Sequence, residues 1–345
     1  MSAPARINKA RAYLEFIAAV LFFFLSRSLA RHIAMGIQNE IWAPLLEQFL
    51  LAVILILGYA AFGALFDRQS HSIAAQGLPL RSGWTREAAL GVALGWGAVV
   101  LCVLPLMLIG GIAVVLSIQG SSWGWLIADA AYFALFALAE EVAYRGYGFQ
   151  RFADVVGSTG ATFGFALFYA IMQALLPGAT NASIAFSVVF SFLLSAAYLR
   201  TRALWVSWGL NFAWKAAQAL IFGLTVSGIS SHSPIVEGNP MGPFWLTGGG
   251  FGLNASWVAC VVLLVTFPVL YRVTRDLDFR YNAPEFIPGG IPVDLDAAAR
   301  RQHESAMGTP AEPAPQLLVQ ILPVSTPPAT PDPASETAAG PEESH

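Results

Sequence analysis

The sequence predicts an all-α, polytopic membrane protein of about eight transmembrane helices. Three observations carry that reading. The chain of 345 residues is 56% hydrophobic and only 11% charged, with a mean hydropathy of +0.62. Its apolar runs approach or exceed the roughly 20 residues needed to span a bilayer. Its arginines recur in alternate connections between those runs, as the positive-inside rule requires of a chain that crosses the membrane repeatedly.

The expected spans are 13–34, 45–66, 88–116, 123–149, 158–176, 182–199, 203–226 and 253–271. The first follows Arg6, Lys9 and Arg11. It resembles a signal peptide in that respect, but "FFFLSRSLARH" offers no small-residue cleavage site, so it reads as an anchor. The third and fourth runs are long enough to tilt or protrude. Arg68, Arg81 and Arg86 lie between spans two and three, Arg151 follows span four, Arg200 and Arg202 separate spans six and seven, and Arg272, Arg275 and Arg280 follow span eight. The connections after spans three, five and seven carry no Lys or Arg, and only Arg27 and Arg31, at the far end of span one, disagree. Both termini are therefore expected in the cytoplasm.

A transmembrane domain is expected over 1–275 and a cytoplasmic tail over 276–345. From Pro310 onward there are nine prolines, and residues 273–345 hold eleven of the twenty-one acids against four arginines. Such a composition cannot bury a core and predicts disorder, with 316–324 ("QLLVQILPV") as an incidental apolar island. "GGGFG" at 248–252 lacks the strand before and the GK[ST] ending of a phosphate cradle, so it is a turn. Gly91 and Gly95 form a GxxxG, a small-residue helix-packing signal. Cys102 and Cys260 read as small packing residues, and no zinc-like cysteine pair is present.

Charge interrupts the apolar pattern in "FALAEEVAYRGYGFQRF", Phe136 to Phe152. Glu141 and Arg145 are i and i+4 on a helix and can pair, whereas Glu140 points about 100° away. Glu140 lies eleven residues before Arg151, which marks the interface. That distance is about 16 Å at 1.5 Å per residue, roughly the midplane. The bland alternative places both acids at a solvated helix end. An unpaired carboxylate at midplane depth is instead a functional-site candidate. Gln173 in span five and Asn211 and Lys215 in span seven lie at similar depth, the last two on one helical face. Lys215 needs an acidic partner. Glu140, Glu141 and Asp129 are available, with Arg145 expected to take Glu141.

"EEVAYRG" resembles the EExxxR motif of the CAAX-protease and bacteriocin-processing family of membrane peptidases, also called Abi or CPBP. "GLPLRSGW", "PGAT", "YLRTRALWVSWGLNFAW", "IFGLTVSG" and "WLTGGGFG" follow that family's order, so that the resemblance covers about residues 74 to 272. It implies a helical membrane fold whose polar cavity opens toward the cytoplasm, with Glu140 activating water. It also implies a histidine four residues after a phenylalanine, and an HxxxN motif. Here Gln173 stands at the first histidine, four after Tyr169. Asn211 stands at the second and Lys215 at the asparagine. None of the five histidines lies within spans four to seven.

These replacements bear on chemistry. Amide side chains are poor zinc ligands, so no metal and no other cofactor is expected. Gln173 and Asn211 can donate hydrogen bonds to an oxyanion, but an amide cannot shuttle a proton near neutral pH. An ammonium beside Glu140 would hold it ionised and weaken it as a base. Two readings stay open: an intramembrane endopeptidase acting on a membrane-associated protein or peptide, and a catalytically dead form that serves as a membrane binding protein or scaffold. A transporter would also use midplane charges, but the paired repeats such carriers show are absent. The expected partners are the lipid bilayer and a membrane protein or peptide, not nucleic acid. The expected location is integral to a membrane, a bacterial inner (plasma) membrane, with both termini cytoplasmic.

Overall fold

The computed structural model describes residues 9–39, 42–66, 72–116, 122–231 and 236–282. The tail and its 316–324 island lie outside the described residues. Each expected span falls mainly on helix. Helices α1 (Lys9–Ala34) and α2 (Trp42–Phe66) come first, followed by the short α3 (Ser72–Ala75) and then α4 (Trp84–Leu108). α5 (Ser122–Arg145), α6 (Tyr147–Ala174), α7 (Asn181–Thr201) and α8 (Trp205–Ala216) form the middle of the chain. The short α9 (Phe244–Thr247) leads to α10 (Trp257–Val273) and α11 (Arg275–Asn282). The described chain is mostly helical.

One expectation needs correction, and a second is met only in part. The third run does not stay helical to 116. Gly110, at φ 74°, follows α4 and turns the chain. The β-branched run beyond it becomes strand β1 (Ile112–Leu116), paired antiparallel with β2 (Val236–Pro240). The helical count also falls short of eight by length and apolarity. Five described segments qualify as spans, or six if α10 and α11, bent by 59°, count as one. The shortfall has two causes. α5 and α6 run on as one apolar stretch, Trp123–Ala174, broken by backbone rather than by a polar loop. Gly146 leaves the helical conformation between them, and Gly157, at φ 81° and ψ 163°, breaks α6 internally. α8 is short because it passes into a π-helical turn, Ala217–Ile221.

Polar contacts fix which helix ends lie together. The Arg11 guanidinium donates to the Phe66 carbonyl, so the start of α1 meets the end of α2. Tyr147 Oη donates to Glu15 Oε2 at 3.1 Å, which brings the start of α6 to the same place. Arg81 holds Glu87 with two hydrogen bonds and donates to the Thr201 carbonyl, tying the start of α4 to the end of α7. Arg200 reaches Thr274 and the Tyr271 carbonyl at the end of α10. This end, called proximal below, gathers the charged groups. The other end is distal.

α8 carries two of the polar residues and is held by unusually close contact with α4. A Cβ at Gly91 would meet the Val206 carbonyl oxygen at 2.1 Å, one at Gly95 would meet the Leu210 oxygen at 2.4 Å, and one at Gly209 would meet the Ala88 oxygen at 2.3 Å. The GxxxG is thus a backbone-to-backbone seam of the kind small residues permit in membranes. Trp208 Nε1 donates to the Ala134 carbonyl at 3.0 Å, fixing the other side of α8 against α5. α7 begins with a capping box at Thr180 and Ser183. It buries a serine every fourth residue (Ser183, Ser187, Ser191 and Ser195), which keeps that face slim and polar.

A substitution series within α4 tests the seam. Gly91→Ala and Gly95→Ala should each lower detergent-extracted thermal stability, by about 1–3 kcal/mol of overpacking. Gly97→Ala, where a Cβ meets nothing within 4 Å, should be neutral or slightly stabilising through helix propensity. Equal effects at all three positions would show that the seam does not hold α8.

Candidate functional site

The EEVAYR segment closes α5. Glu141 and Arg145 are fully buried and paired one turn apart, Nη1 to Oε1 at 3.1 Å. Arg145 Nη2 extends to α7, donating to the Ser191 carbonyl at 3.3 Å and to Ser191 Oγ at 3.2 Å. Its side chain therefore joins two helices rather than pointing to solvent. Glu141 Oε2 and Arg145 Nε have no hydrogen-bond partner among the described residues.

Glu140 faces away from that pair and meets α8. Lys215 Nζ lies 2.6 Å from Glu140 Oε2, with the two side chains 5% and 11% exposed. Asn211 sits between the two acids. Its Nδ2 donates to Glu140 Oε2 at 3.0 Å and to Glu141 Oε1 at 2.9 Å, and its Oδ1 accepts from Lys215 Nζ. An amide suits this place because it offers donors toward two carboxylates and an acceptor toward an ammonium. The Phe136 ring faces Lys215 Nζ at 4.9 Å, an added cation–π contact. Two carboxylates and two cations thus form one buried, formally neutral cluster.

Gln173 joins Glu140 and Lys215 on the wall of a cavity of about 440 Å³. Of the sequence-predicted residues, Glu140, Glu141, Arg145, Asn211 and Lys215 are bonded in one network, and Gln173 faces it across the cavity. Glu140 and Lys215 form the floor. Helix ends and turns at the distal end form the mouth, among them Arg27, Glu47, Pro177 and the Ser227–Gly228 turn. The resemblance implied a cavity open to the cytoplasm, the side where both chain ends were expected. The cavity mouth and the described chain ends lie at opposite ends of the bundle, so those two expectations do not hold together.

Sequence reasoning passed over several residues of this neighbourhood. Ser191, which receives Arg145, belongs to the serine period of four. Trp214 Nε1 donates to Asn254 Oδ1 at 2.8 Å, and Asn254 Nδ2 donates to Ser227 Oγ at 2.8 Å, carrying α8 to the mouth. Ser227 has φ 51° and sits beside Gly228 in the tight turn closed by the Val226–Ile229 bridge. Arg27 had a visible signal, since it departs from the charge rule the other arginines follow. Among the described residues, no three His, Cys, Asp or Glu side chains come together as a metal-ligand group.

Residues 120–217 match the family model described as type II CAAX prenyl endopeptidase Rce1-like. The family read from EEVAYRG is borne out over this stretch, which contains all six candidate residues and is narrower than the 74 to 272 first expected. No curated protein and no solved structure matches the chain.

A double-mutant cycle tests the floor. Lys215→Ala leaves Glu140 buried against Asn211 without its counter-charge, an effect of about 3–5 kcal/mol for such pairs. Lys215→Ala combined with Glu140→Gln should recover much of that loss in thermal or denaturant unfolding. Strict additivity would show that the contact carries no coupling.

Proposed function

We propose that this Rce1-like membrane protein is catalytically silent and uses the cavity for binding. The observation that carries this reading is the Lys215 ammonium at 2.6 Å from Glu140. A water-activating glutamate must accept a proton from its water. The Lys215 ammonium and the Asn211 amide both donate to Glu140 Oε2, so that oxygen is already engaged and is not open to a water's proton. The residues at the histidine positions add to this. Gln173 and Asn211 can orient a group by hydrogen bonding but cannot relay a proton.

A second reading, a working intramembrane endopeptidase, is favoured by one feature. Glu140 Oε1 makes no hydrogen bond among the described residues, while Glu140 lines the cavity. A water there would share the cavity with the Gln173 amide. Hydrolysis assays separate the two. The full-length protein in proteoliposomes, given prenylated CAAX peptides and unprenylated membrane peptides, should release product no faster than its Glu140→Gln variant. Turnover that Glu140→Gln abolishes would establish the second reading.

The same proposal takes the chain to cross the membrane eight times with both termini cytoplasmic. Support comes from the eight expected runs, each falling mainly on helix, and from the arginines gathered at the proximal end. Reporter fusions after Asn282 and in the connection 222–256 should report opposite sides of the membrane. Reporters on the same side would refute the eight-fold crossing.

A further inference from the structure

Outside the ion-paired floor, the cavity has two charged side chains that the network does not use, Arg27 and Glu47, and both lie at its distal mouth. Arg27, near the end of α1, is exposed and makes no ion pair among the described residues. Its position runs against the charge rule that the proximal arginines obey, so topology gives no reason for a cation there. Glu47, near the start of α2, is half-buried and also makes no ion pair among the described residues. Next to it, Gln48 is nine-tenths buried, lines the cavity, and has an Oε1 with no hydrogen-bond partner. A buried acceptor without a donor has an energetic cost that a ligand N–H removes.

Together these groups ask for one kind of chemistry. Glu47 and Gln48 Oε1 are acceptors that call for an ammonium carrying N–H donors. Arg27 calls for an anion, and its planar guanidinium fits a phosphate or carboxylate. The floor is already neutralised by Lys215, so it offers no counter-charge to a ligand. The intervening walls are uncharged and mainly apolar or aromatic, including Phe23, Leu51, Tyr132 and Met172, with the Gln173 amide among them. A charged head at the mouth and an uncharged, apolar part within are what this distribution can hold. We infer that the cavity mouth binds a zwitterionic phosphoethanolamine head, entering from the distal end, with its phosphate on Arg27 and its ammonium on Glu47 and Gln48. A quaternary phosphocholine head fits less well, because it has no N–H for Gln48 Oε1. The inference rests on the cavity's being a binding site, and it holds whether or not Glu140 hydrolyses anything.

The test titrates the delipidated full-length protein with phosphatidylethanolamine, phosphatidylcholine or phosphatidylglycerol of one acyl composition, with retention read by native mass spectrometry. Phosphatidylethanolamine should bind about tenfold more tightly than either of the others, the effect of roughly one charge-assisted hydrogen bond. Glu47→Gln and Gln48→Leu should each reduce that preference, while Arg27→Gln should weaken the ethanolamine and choline lipids alike. Displacement by soluble phosphoethanolamine would identify the head alone as sufficient. Failure to displace, with lipid selectivity intact, would identify the membrane lipid as the source. Equal retention of the three lipids, or a preference that Glu47→Gln leaves unchanged, overturns the inference. The hydrolysis assay is unaffected by either result, so the two readings fail separately.

Discussion

The placement of Lys215 against Glu140, bridged by Asn211, is the contact on which the rest of the arrangement depends. Charges buried in an apolar helical bundle are costly unless each has a partner and its remaining donors and acceptors are met. Here two carboxylates and one cation share one amide, and each carboxylate receives a cation from a different direction. Arg145 comes from the same helix and continues to Ser191 on α7. Lys215 comes from α8. The cluster therefore fixes α5, α7 and α8 to one another with directional bonds, which apolar packing alone does not provide.

Such a cluster tolerates little error in position, and that demand explains features far from it. α8 presents Asn211 and Lys215 at the right height only if its backbone lies directly on α4. The contacts of Gly91, Gly95 and Gly209 with facing carbonyls allow that approach. The serine face of α7 makes room for the Arg145 guanidinium and supplies its acceptors at the same time. The indole hydrogen bonds of Trp208 and Trp214 then restrain α8 on its remaining sides. Small residues, hydroxyls and indoles thus do separate parts of one task, which is to keep an ionic cluster in register.

Much of this was legible in the sequence because helical periodicity is a strong constraint. The pairing of Glu141 with Arg145 and the shared face of Asn211 and Lys215 follow from i, i+4 spacing. Their common depth follows from the rise per residue. What periodicity could not settle was which acid Lys215 would take, since Glu140, Glu141 and Asp129 all lay within plausible reach. That choice is made by α8 resting on α4. The change from helix to strand after Gly110 was hidden because "IAVVL" is as apolar as a span and differs only in β-branching. The end at which the cavity opens depends on how helix ends and connecting turns meet, which no local pattern encodes. Serines at every fourth position were readable as a face, but their use by an arginine 46 residues earlier in the chain was not.

If the resemblance places Gln173, Asn211 and Lys215 at the family's motif positions, the three replacements are chemically coherent as a set. An amide at 211 in place of an imidazole keeps a donor for the acids and adds an acceptor directed at the ammonium. Lys215 in place of an asparagine brings a charge that only an acid can balance, and Glu140 is the acid within reach. Gln173 retains hydrogen-bonding capacity on the far wall without a group that titrates. Taken singly, a lysine in this interior would be destabilising beside a neutral partner. Taken together with Glu140 and Asn211, it completes the charge balance of the EExxxR segment. The acids and cations of this segment are thereby held in one ion-paired network, in which Lys215 engages the acid that lines the cavity.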